Sequence, residues 1–120
     1  MSKKTLVLGA SPNPERYAYK AIFALKQKGH EVVPVGLRDG VVSGVTILKG
    51  QPKVDDVDTL TLYVGPKHQP NFYDYIIGLK PKRIIFNPGT KNKELQELAV
   101  ENNIETIDAC TLVMLSVGNY

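Results

Sequence analysis

Short apolar runs alternate along this chain with longer segments in which apolar residues recur every three or four positions. Runs of the first kind, bounded by lysines and glycines, are typical of strands buried on both faces of a parallel sheet. The second spacing predicts amphipathic helices. The predicted strands are 5–9, 31–35, 45–48, 59–64, 83–87 and 104–108, the predicted helices are 17–28, 71–80 and 91–103, and a terminal helical turn is expected within 110–117.

Turn residues support these boundaries. Gly29 follows the first predicted helix, and Pro81 ends the second, because proline cannot continue a helix. A loop is predicted over 65–70, and the glycine-rich segment 36–50 leaves room for only a short third strand. Strands that alternate with helices predict an α/β fold. We expect a Rossmann-like three-layer sandwich with helices on both faces of a mostly parallel sheet of five to six strands, in the order 3-2-1-4-5.

Composition narrows the class of protein. The chain has 120 residues, 42% of them hydrophobic and 22% charged, which is ordinary for a globular domain, so one domain spanning 1–120 is expected. The single cysteine, Cys110, excludes an intrachain disulfide and fits a reducing compartment. No apolar run reaches the ~18 residues of a membrane span, and Lys3 and Lys4 lead directly into the first strand without the apolar stretch of a signal peptide. The expected location is the cytoplasm, with no membrane partner.

The net charge of +3 suits a small anionic ligand. The lysines are scattered, and no basic run exceeds Lys3–Lys4, so no nucleic-acid partner is expected. Cytosolic domains of this size often form two-fold pairs, and a homodimer is therefore compatible with the sequence, although no interface stands out.

The loop after the first strand, 9–16, is the place to search for a ligand site. In open parallel sheets, ligands bind outside the carboxyl ends of the strands, near the point where the strand order reverses. A glycine permits close approach to a ligand, and the following helix directs free N–H groups and its positive dipole end at the same place. Hydroxyl, amide and cationic side chains can add donors and charge toward a pyrophosphate. The candidate residues are Gly9, Ala10, Ser11, Pro12, Asn13, Arg16 and Lys20.

This loop is not a dinucleotide fingerprint. Gly9 matches the first glycine of G-x-G-x-x-G, but Ser11 and Pro14 occupy the positions of the other two. The loop alone is equally compatible with an ordinary turn in which Ser11 or Asn13 caps the helix. The second strand ends without the acid typical of NAD binders, and Arg38 lies close by. Beside an adenosine, Arg38 would favour a ribose phosphate, which NADP and coenzyme A (CoA) both carry; alternatively, it is a solvated surface residue.

Three segments carry a resemblance to a known family. The run 8–19, LGASPNPERYAY, resembles the opening of the small CoA-binding domain proteins, which usually reads V-G-A-S-x-x-P-x-R-x-S-x. The run 29–35, GHEVVPV, is similar to their G-Y-x-V-x-P-V segment, and 54–58, VDDVD, to their V-D-x-V-D lead into the fourth strand. The spacing between the segments agrees as well, so the resemblance covers nearly the whole chain.

The resemblance implies a fold, a ligand and a set of contacts. The same fold forms the CoA-binding domain of the succinyl-CoA synthetase α subunit, where the ADP portion of CoA lies across the carboxyl ends of the strands. By this resemblance the loop 9–16 meets the phosphates, 35–38 lies near the adenosine and its 3′-phosphate, and 63–67 and 87–90 border the pantetheine path. It adds Val35, Arg38, Tyr63, Val64, Gly65, Asn87, Pro88 and Gly89 to the ligand-binding residues, with coenzyme A as the suspected ligand.

The chain also departs from the family pattern. Gly36-Leu37 replaces an Asn-Pro pair, Asn87-Pro88-Gly89 replaces Gln-x-Gly, and Ala109-Cys110 replaces Arg-Cys. Three functions therefore stay open: a module that binds CoA or an acyl-CoA without catalysis of its own, an NADP- or other nucleotide-dependent enzyme, and a protein-interaction domain without a ligand.

No catalytic or metal-binding residue is assigned. His68, in the loop after the fourth strand, could act as an acid, a base or a phosphate contact, but no nucleophile or carboxylate can be placed beside it. Cys110 could be a reactive thiol or an ordinary core residue. Asp55, Asp56 and Asp58 fit a solvated lead into a strand better than a metal site.

Overall fold

The computed structural model describes residues 2–120. A parallel five-stranded sheet forms its centre, with helices on both faces. The elements in chain order are β1 (Thr5–Ala10), α1 (Tyr17–Gln27), β2 (Val32–Gly36), β3 (Val41–Val42), β4 (Val45–Thr46), β5 (Thr59–Leu62), a 3₁₀ helix (Pro66–Phe72), α2 (Tyr73–Leu79), β6 (Arg83–Phe86), α3 (Lys93–Glu101), β7 (Glu105–Asp108) and α4 (Thr111–Val117).

The order of the strands, β2-β1-β5-β6-β7, confirms the predicted α/β topology. The predicted third strand contributes a single parallel bridge, between Val35 and Leu48, so this segment lies beside β2 as the order 3-2-1-4-5 requires. The first half of this predicted strand pairs with the residues before it as the antiparallel β3–β4 hairpin, whose tight turn places Ser43 and Gly44 at positive φ. The sheet thus has five strands and one bridged neighbour.

Alternating side chains divide the core into two layers. One layer lies between the sheet and α2 with α3, and the other between the sheet and α1 with α4. The first layer contains Leu6, Leu8, Leu60, Leu62, Ile76, Ile84, Phe86, Leu95 and Ala99. The second contains Val7, Ala10, Ala18, Ile22, Leu25 and Leu115. This is the predicted three-layer arrangement.

Several predicted boundaries need correction. The prediction of a loop over 65–70 is wrong, because Pro66–Phe72 forms the 3₁₀ helix. Pro66 occupies its first turn, where the missing N–H group of proline has no cost. As a result α2 begins only at Tyr73, although it ends before Pro81 as predicted. The helix α3 begins later than predicted because Asn92 caps it, its side chain accepting from Leu95 N. Across residues 2–120, no helix combines the length and hydropathy that a membrane crossing needs.

Candidate ligand-binding cleft

A cleft of about 870 Å³ opens at the carboxyl edge of the sheet, among the loops that follow β1, β2, β5 and β6. Parallel strands end at the same edge, so loops far apart in sequence meet there. Most residues that the sequence analysis proposed for ligand binding line this cleft. They are Gly9, Ala10, Ser11, Pro12, Asn13, Arg16, Val35, Arg38, Tyr63, Val64, Gly65, Pro88 and Gly89.

Two glycines let the chain close tightly beneath the cleft. Gly9 has a φ of +97°, and the pairing of β1 with β2 shifts register between Leu8 and Ala10. A Cβ on Gly9 would lie 3.0 Å from the backbone carbon of Tyr63. A Cβ on Gly36 would lie only 2.2 Å from the carbonyl oxygen of Ala10. Only glycine therefore fits this junction of β1, β2 and β5.

The loop between β1 and α1 satisfies its own polar side chains. Ser11 Oγ accepts a hydrogen bond from Asn13 N at 3.1 Å, and Asn13 Oδ1 accepts from Glu15 N at 3.0 Å. The interpretation in which Ser11 or Asn13 caps α1 is therefore wrong. Within residues 2–120, no side chain caps this helix, and its first turn holds no acidic residue. The first N–H groups of α1 and its positive dipole end are left available to an anion.

The lining of the cleft is cationic. It includes Arg16 and Arg38, both exposed, and no aspartate or glutamate is among the described residues that line it. Over residues 2–120, neither arginine forms an ion pair with a carboxylate, and Asp39, beside Arg38, pairs with Lys49 at 3.0 Å instead. Two arginines without an ion pair, in a lining without carboxylates, give the cleft a positive potential.

Tyr63 lines the cleft where β5 ends. Its backbone N–H donates to Leu8 O at 2.8 Å. The hydroxyls of Thr61 and Thr111 lie near its phenol but bond to each other at 2.7 Å, and the Tyr63 hydroxyl has no partner within residues 2–120. Burial raises the pKa of Tyr63 to about 12, so this phenol stays neutral at neutral pH and is a poor base.

Two proposed ligand residues do not reach the lining. Asn87 is buried, and its amide is fully engaged: Nδ2 donates to Thr61 Oγ1 at 2.7 Å and to Leu62 O at 2.9 Å, while Oδ1 accepts from Thr111 N at 2.9 Å. It holds β5, β6 and α4 together instead of facing the cleft. Lys20 is exposed on α1 with its Nζ 5.4 Å from the centre of the Tyr17 ring, also outside the lining.

Sequence reasoning missed part of the lining. The additional residues are Leu8, Tyr17, Ala18, Gly50, Gln51, Asn71 and Phe72. His68, which the sequence analysis considered as an acid, a base or a phosphate contact without assigning it, lines the cleft as well. Gln51 Nε2 donates to Asn71 O at 3.0 Å and so links two sides of the rim. The position of Gly50 and Gln51, directly after the predicted third strand, was the available signal, because that strand ends at the same sheet edge.

His68 and Cys110 are the two side chains that the sequence analysis considered for chemistry. His68 makes no side-chain hydrogen bond among the described residues, and Cys110, half-buried at the start of α4, lies outside the lining. From Ser2 to Tyr120, no three histidine, cysteine, aspartate or glutamate side chains gather as a metal site would require.

Fold and cleft together define a Rossmann-like α/β domain with a basic ligand cleft at the carboxyl edge of its sheet. The chain belongs to the CoA-binding domain family, whose model matches residues 3–116. The resemblance found in the three sequence segments is thereby confirmed.

Solved structures share this fold. A protein described as uncharacterised is 54% identical, with all of this chain and 99% of that one covered and a TM-score of 0.97. A hypothetical protein from Pyrococcus horikoshii OT3 is 26% identical over 97% of this chain and 83% of its own, with a TM-score of 0.86. A conserved hypothetical protein from Pyrococcus furiosus is 26% identical over 92% and 97%, with a TM-score of 0.80. No curated protein matches the sequence.

Proposed function

We propose that the cleft binds coenzyme A or an acyl-CoA and that the domain is a binding module without catalysis of its own. One observation carries the proposal: two unpaired arginines and the uncapped start of α1 share a cleft whose described lining has no carboxylate. Such a cleft favours a ligand with several phosphates, and CoA carries a pyrophosphate and a ribose 3′-phosphate.

The pyrophosphate is assigned to the loop 9–16 and the first turn of α1. Free N–H groups at a helix start bind phosphate oxygens well, and an arginine fork adds charge and two donors. Arg16 immediately precedes α1 and lines the cleft. Gly9 and Gly36 allow the backbone to approach the ligand closely.

The ribose phosphate is assigned to Arg38. This side chain lines the cleft just beyond β2, and the family resemblance implies that the adenosine lies near this segment. Its exposure and lack of an ion pair leave its five N–H donors free for a phosphate.

The remaining wall suits the less polar arm of CoA. Val64, Phe72 and Pro88 provide apolar surface on the side formed by the loops after β5 and β6. A volume of about 870 Å³ also falls within the range of about 300–1,000 Å³ that is usual for pockets binding small molecules and cofactors. A pantetheine or acyl chain would lie against these residues.

The assignment of binding without catalysis rests on the groups near the cleft. His68 is not hydrogen-bonded to a nucleophile or a carboxylate within residues 2–120, and the Tyr63 phenol is neutral at physiological pH. An enzyme of the acyl-transfer type would need a nucleophile within hydrogen-bond reach of a base.

The test is thermal and calorimetric titration with CoA, dephospho-CoA, NADP, NAD and ADP. CoA at about 100 times its Kd should add about 2.7 kcal/mol to the free energy of unfolding. Arg16→Ala should abolish most of this gain, whereas Lys26→Ala, which removes an exposed cation from the far end of α1, should not. A response to NADP alone would favour a nucleotide-dependent enzyme, and no response to any ligand would overturn the proposal in favour of an interaction domain.

A further inference from the structure

A buried amide lies directly behind the wall of the cleft. Gln69, in the 3₁₀ helix, is fully buried. Its Nε2 donates to Val64 O at 2.8 Å and to Thr90 O at 2.8 Å, and its Oε1 accepts from Asn92 Nδ2 at 2.9 Å. Val64 and Thr90 belong to different loops, one after β5 and one after β6, and both line the cleft. Gln69 itself is outside the lining.

The hydrogen-bond pattern fixes the orientation of both amides. Two carbonyl oxygens on one side of Gln69 demand its NH₂ group there. Asn92 Oδ1 accepts from Leu95 N at 3.4 Å, so Asn92 Nδ2 must face Gln69 Oε1 and Tyr73 Oη. Asn92 Nδ2 donates to Tyr73 Oη at 2.8 Å. The resulting network runs from the cleft wall to the start of α3, and every side-chain amide in it is satisfied.

The backbone alone does not join these two loops. The ladder between β5 and β6 ends with the pair Leu62 and Phe86. Beyond that pair, no backbone-to-backbone hydrogen bond among residues 2–120 links 63–72 to 87–92. The distance between the two loops therefore depends on the two hydrogen bonds that Gln69 Nε2 donates, one to each loop.

We propose that Gln69 is a positioning residue that sets the separation of the two loops and thereby the affinity for the part of the ligand seated between them. This inference rests on the proposed function, in which that part is the pantetheine or acyl arm of CoA. Gln69 acts through Val64 and Thr90 and does not touch the ligand. The adenosine and its phosphates, assigned to the loops after β1 and β2, should be indifferent to it.

The experiment compares two ligands in the full chain: CoA, and adenosine 3′,5′-bisphosphate, which keeps the adenosine, the 3′-phosphate and one 5′-phosphate but lacks the second phosphate of the pyrophosphate and the arm. In Gln69→Met, which keeps the length but leaves both carbonyls unbonded, the Kd for CoA should rise about tenfold. The Kd for the bisphosphate should stay within about twofold. The ratio of the two is the decisive readout, because a general loss of stability does not change it while the protein stays folded.

The matched control is Arg83→Ala, which removes another buried hydrogen-bonding side chain but at the opposite edge of the sheet. It should lower stability and leave the ratio unchanged. If Gln69→Met does not fold, Asn92→Asp decides: aspartate still caps α3 but presents a carboxylate to Gln69 Oε1 in place of a donor. The same preferential loss of CoA affinity is expected.

Failure of this inference and failure of the proposed function look different. A wild-type protein that binds neither ligand overturns the proposed function and this inference with it. A wild-type protein that binds both ligands equally overturns this inference alone, because the arm then adds no affinity for Gln69 to control. A wild-type protein that prefers CoA, combined with variants that weaken both ligands equally or neither, overturns the role of Gln69 alone.

Discussion

The two edges of the sheet use arginine in opposite ways. At the carboxyl edge, Arg16 and Arg38 are exposed in the cleft without an ion pair among the described residues. At the amino edge, Arg83 is only 9% exposed, its Nε donates to Thr59 Oγ1 at 2.8 Å, and its guanidinium lies 4.6 Å from the centre of the Tyr120 ring. The protein itself engages the arginine at the amino edge and leaves the two arginines at the carboxyl edge without an ion pair among the described residues.

The amino edge is organised around Tyr120. Its hydroxyl bonds with Thr5 Oγ1, its ring centre lies 4.9 Å from that of His30, and its backbone oxygen accepts from Lys3 Nζ at 2.7 Å. Arg83 Nη2 is buried without a partner within residues 2–120, a cost that its cation–π contact with Tyr120 offsets in part. Positive charge therefore stabilises the fold at this edge, whereas at the other edge it has no partner among the described residues.

The largest effect is expected from the backbone junction under the cleft. In Gly36→Ala, the new Cβ would lie 2.2 Å from Ala10 O, so β1 and β2 must separate. We expect a loss of about 3 kcal/mol in the free energy of unfolding, together with loss of CoA binding. Urea denaturation and titration measure both.

Gly78→Ala is the matched control for this change. Gly78 lies inside α2, and a Cβ there would have no neighbour within 4 Å. Because alanine favours helix, the variant should gain about 0.5–1 kcal/mol and keep its affinity. Equal effects of the two substitutions on stability and affinity would show that the close contact of residue 36 with Ala10 does not cause the loss.

A smaller but more diagnostic effect is expected when the arginines of the two edges are exchanged for alanine one at a time. Arg83→Ala removes a buried hydrogen bond and a cation–π contact, and should cost about 2 kcal/mol of stability without changing CoA affinity. Arg16→Ala should stay within about 0.5 kcal/mol of the wild-type stability and lose affinity. A variant that loses both properties would contradict the division of roles between the edges.

The sequence alone could predict the sheet and the position of the cleft. The strands around β1 are continuous apolar runs, and the rule that ligands bind at the carboxyl ends of such strands directed attention to Gly9 and Arg16. The sheet and the position of the cleft depend on the local pattern of apolar residues and on topology, and both can be predicted from a single sequence. The order of the strands could be predicted for the same reason, because it follows from the alternation of strands and helices.

The parts that could not be predicted depend on burial of polar side chains. Asn87 was assigned to the ligand by the family resemblance, yet its amide is hydrogen-bonded to Thr61 and Thr111, which lie 26 and 24 residues away in sequence. Gln69 lies in the segment 65–70, whose prolines and glycine predict a solvated loop. Whether such amides face solvent or neighbouring carbonyls is decided by tertiary contacts that carry no periodic signal.

Arg38→Gln separates the roles proposed for the two arginines of the carboxyl edge. If Arg38 meets the ribose 3′-phosphate, the variant should bind CoA about tenfold more weakly but dephospho-CoA within about twofold of the wild type. Isothermal titration with the two ligands gives the ratio. Equal weakening for both ligands would place Arg38 at the pyrophosphate or show that it acts only through general charge.

The smallest expected effect is a pH dependence of stability that belongs to the amino edge. Burial, followed by the charges of Lys3 and Arg83, lowers the pKa of His30 from 6.5, while Asp58 acts in the opposite direction. His30 Nδ1 also accepts from Lys3 N at 2.9 Å, a bond that protonation at this nitrogen would remove. In the unfolded chain His30 binds its proton at the ordinary pKa, so its contribution to stability is complete above pH 6.5 and is lost as pH falls below that value.

Denaturation at about pH 7.5 and about pH 5.5 tests this assignment, since the interval spans the ordinary histidine pKa and lies above those of most carboxylates. His30→Gln retains an acceptor for Lys3 N without a titrating group, and should lose less free energy of unfolding between the two pH values than the wild type does. His68→Gln, at the exposed histidine of the cleft, should behave as the wild type does. If the loss is reduced in His68→Gln instead, the pH dependence belongs to the cleft, and the amino edge is not the stabilising element that its buried contacts indicate.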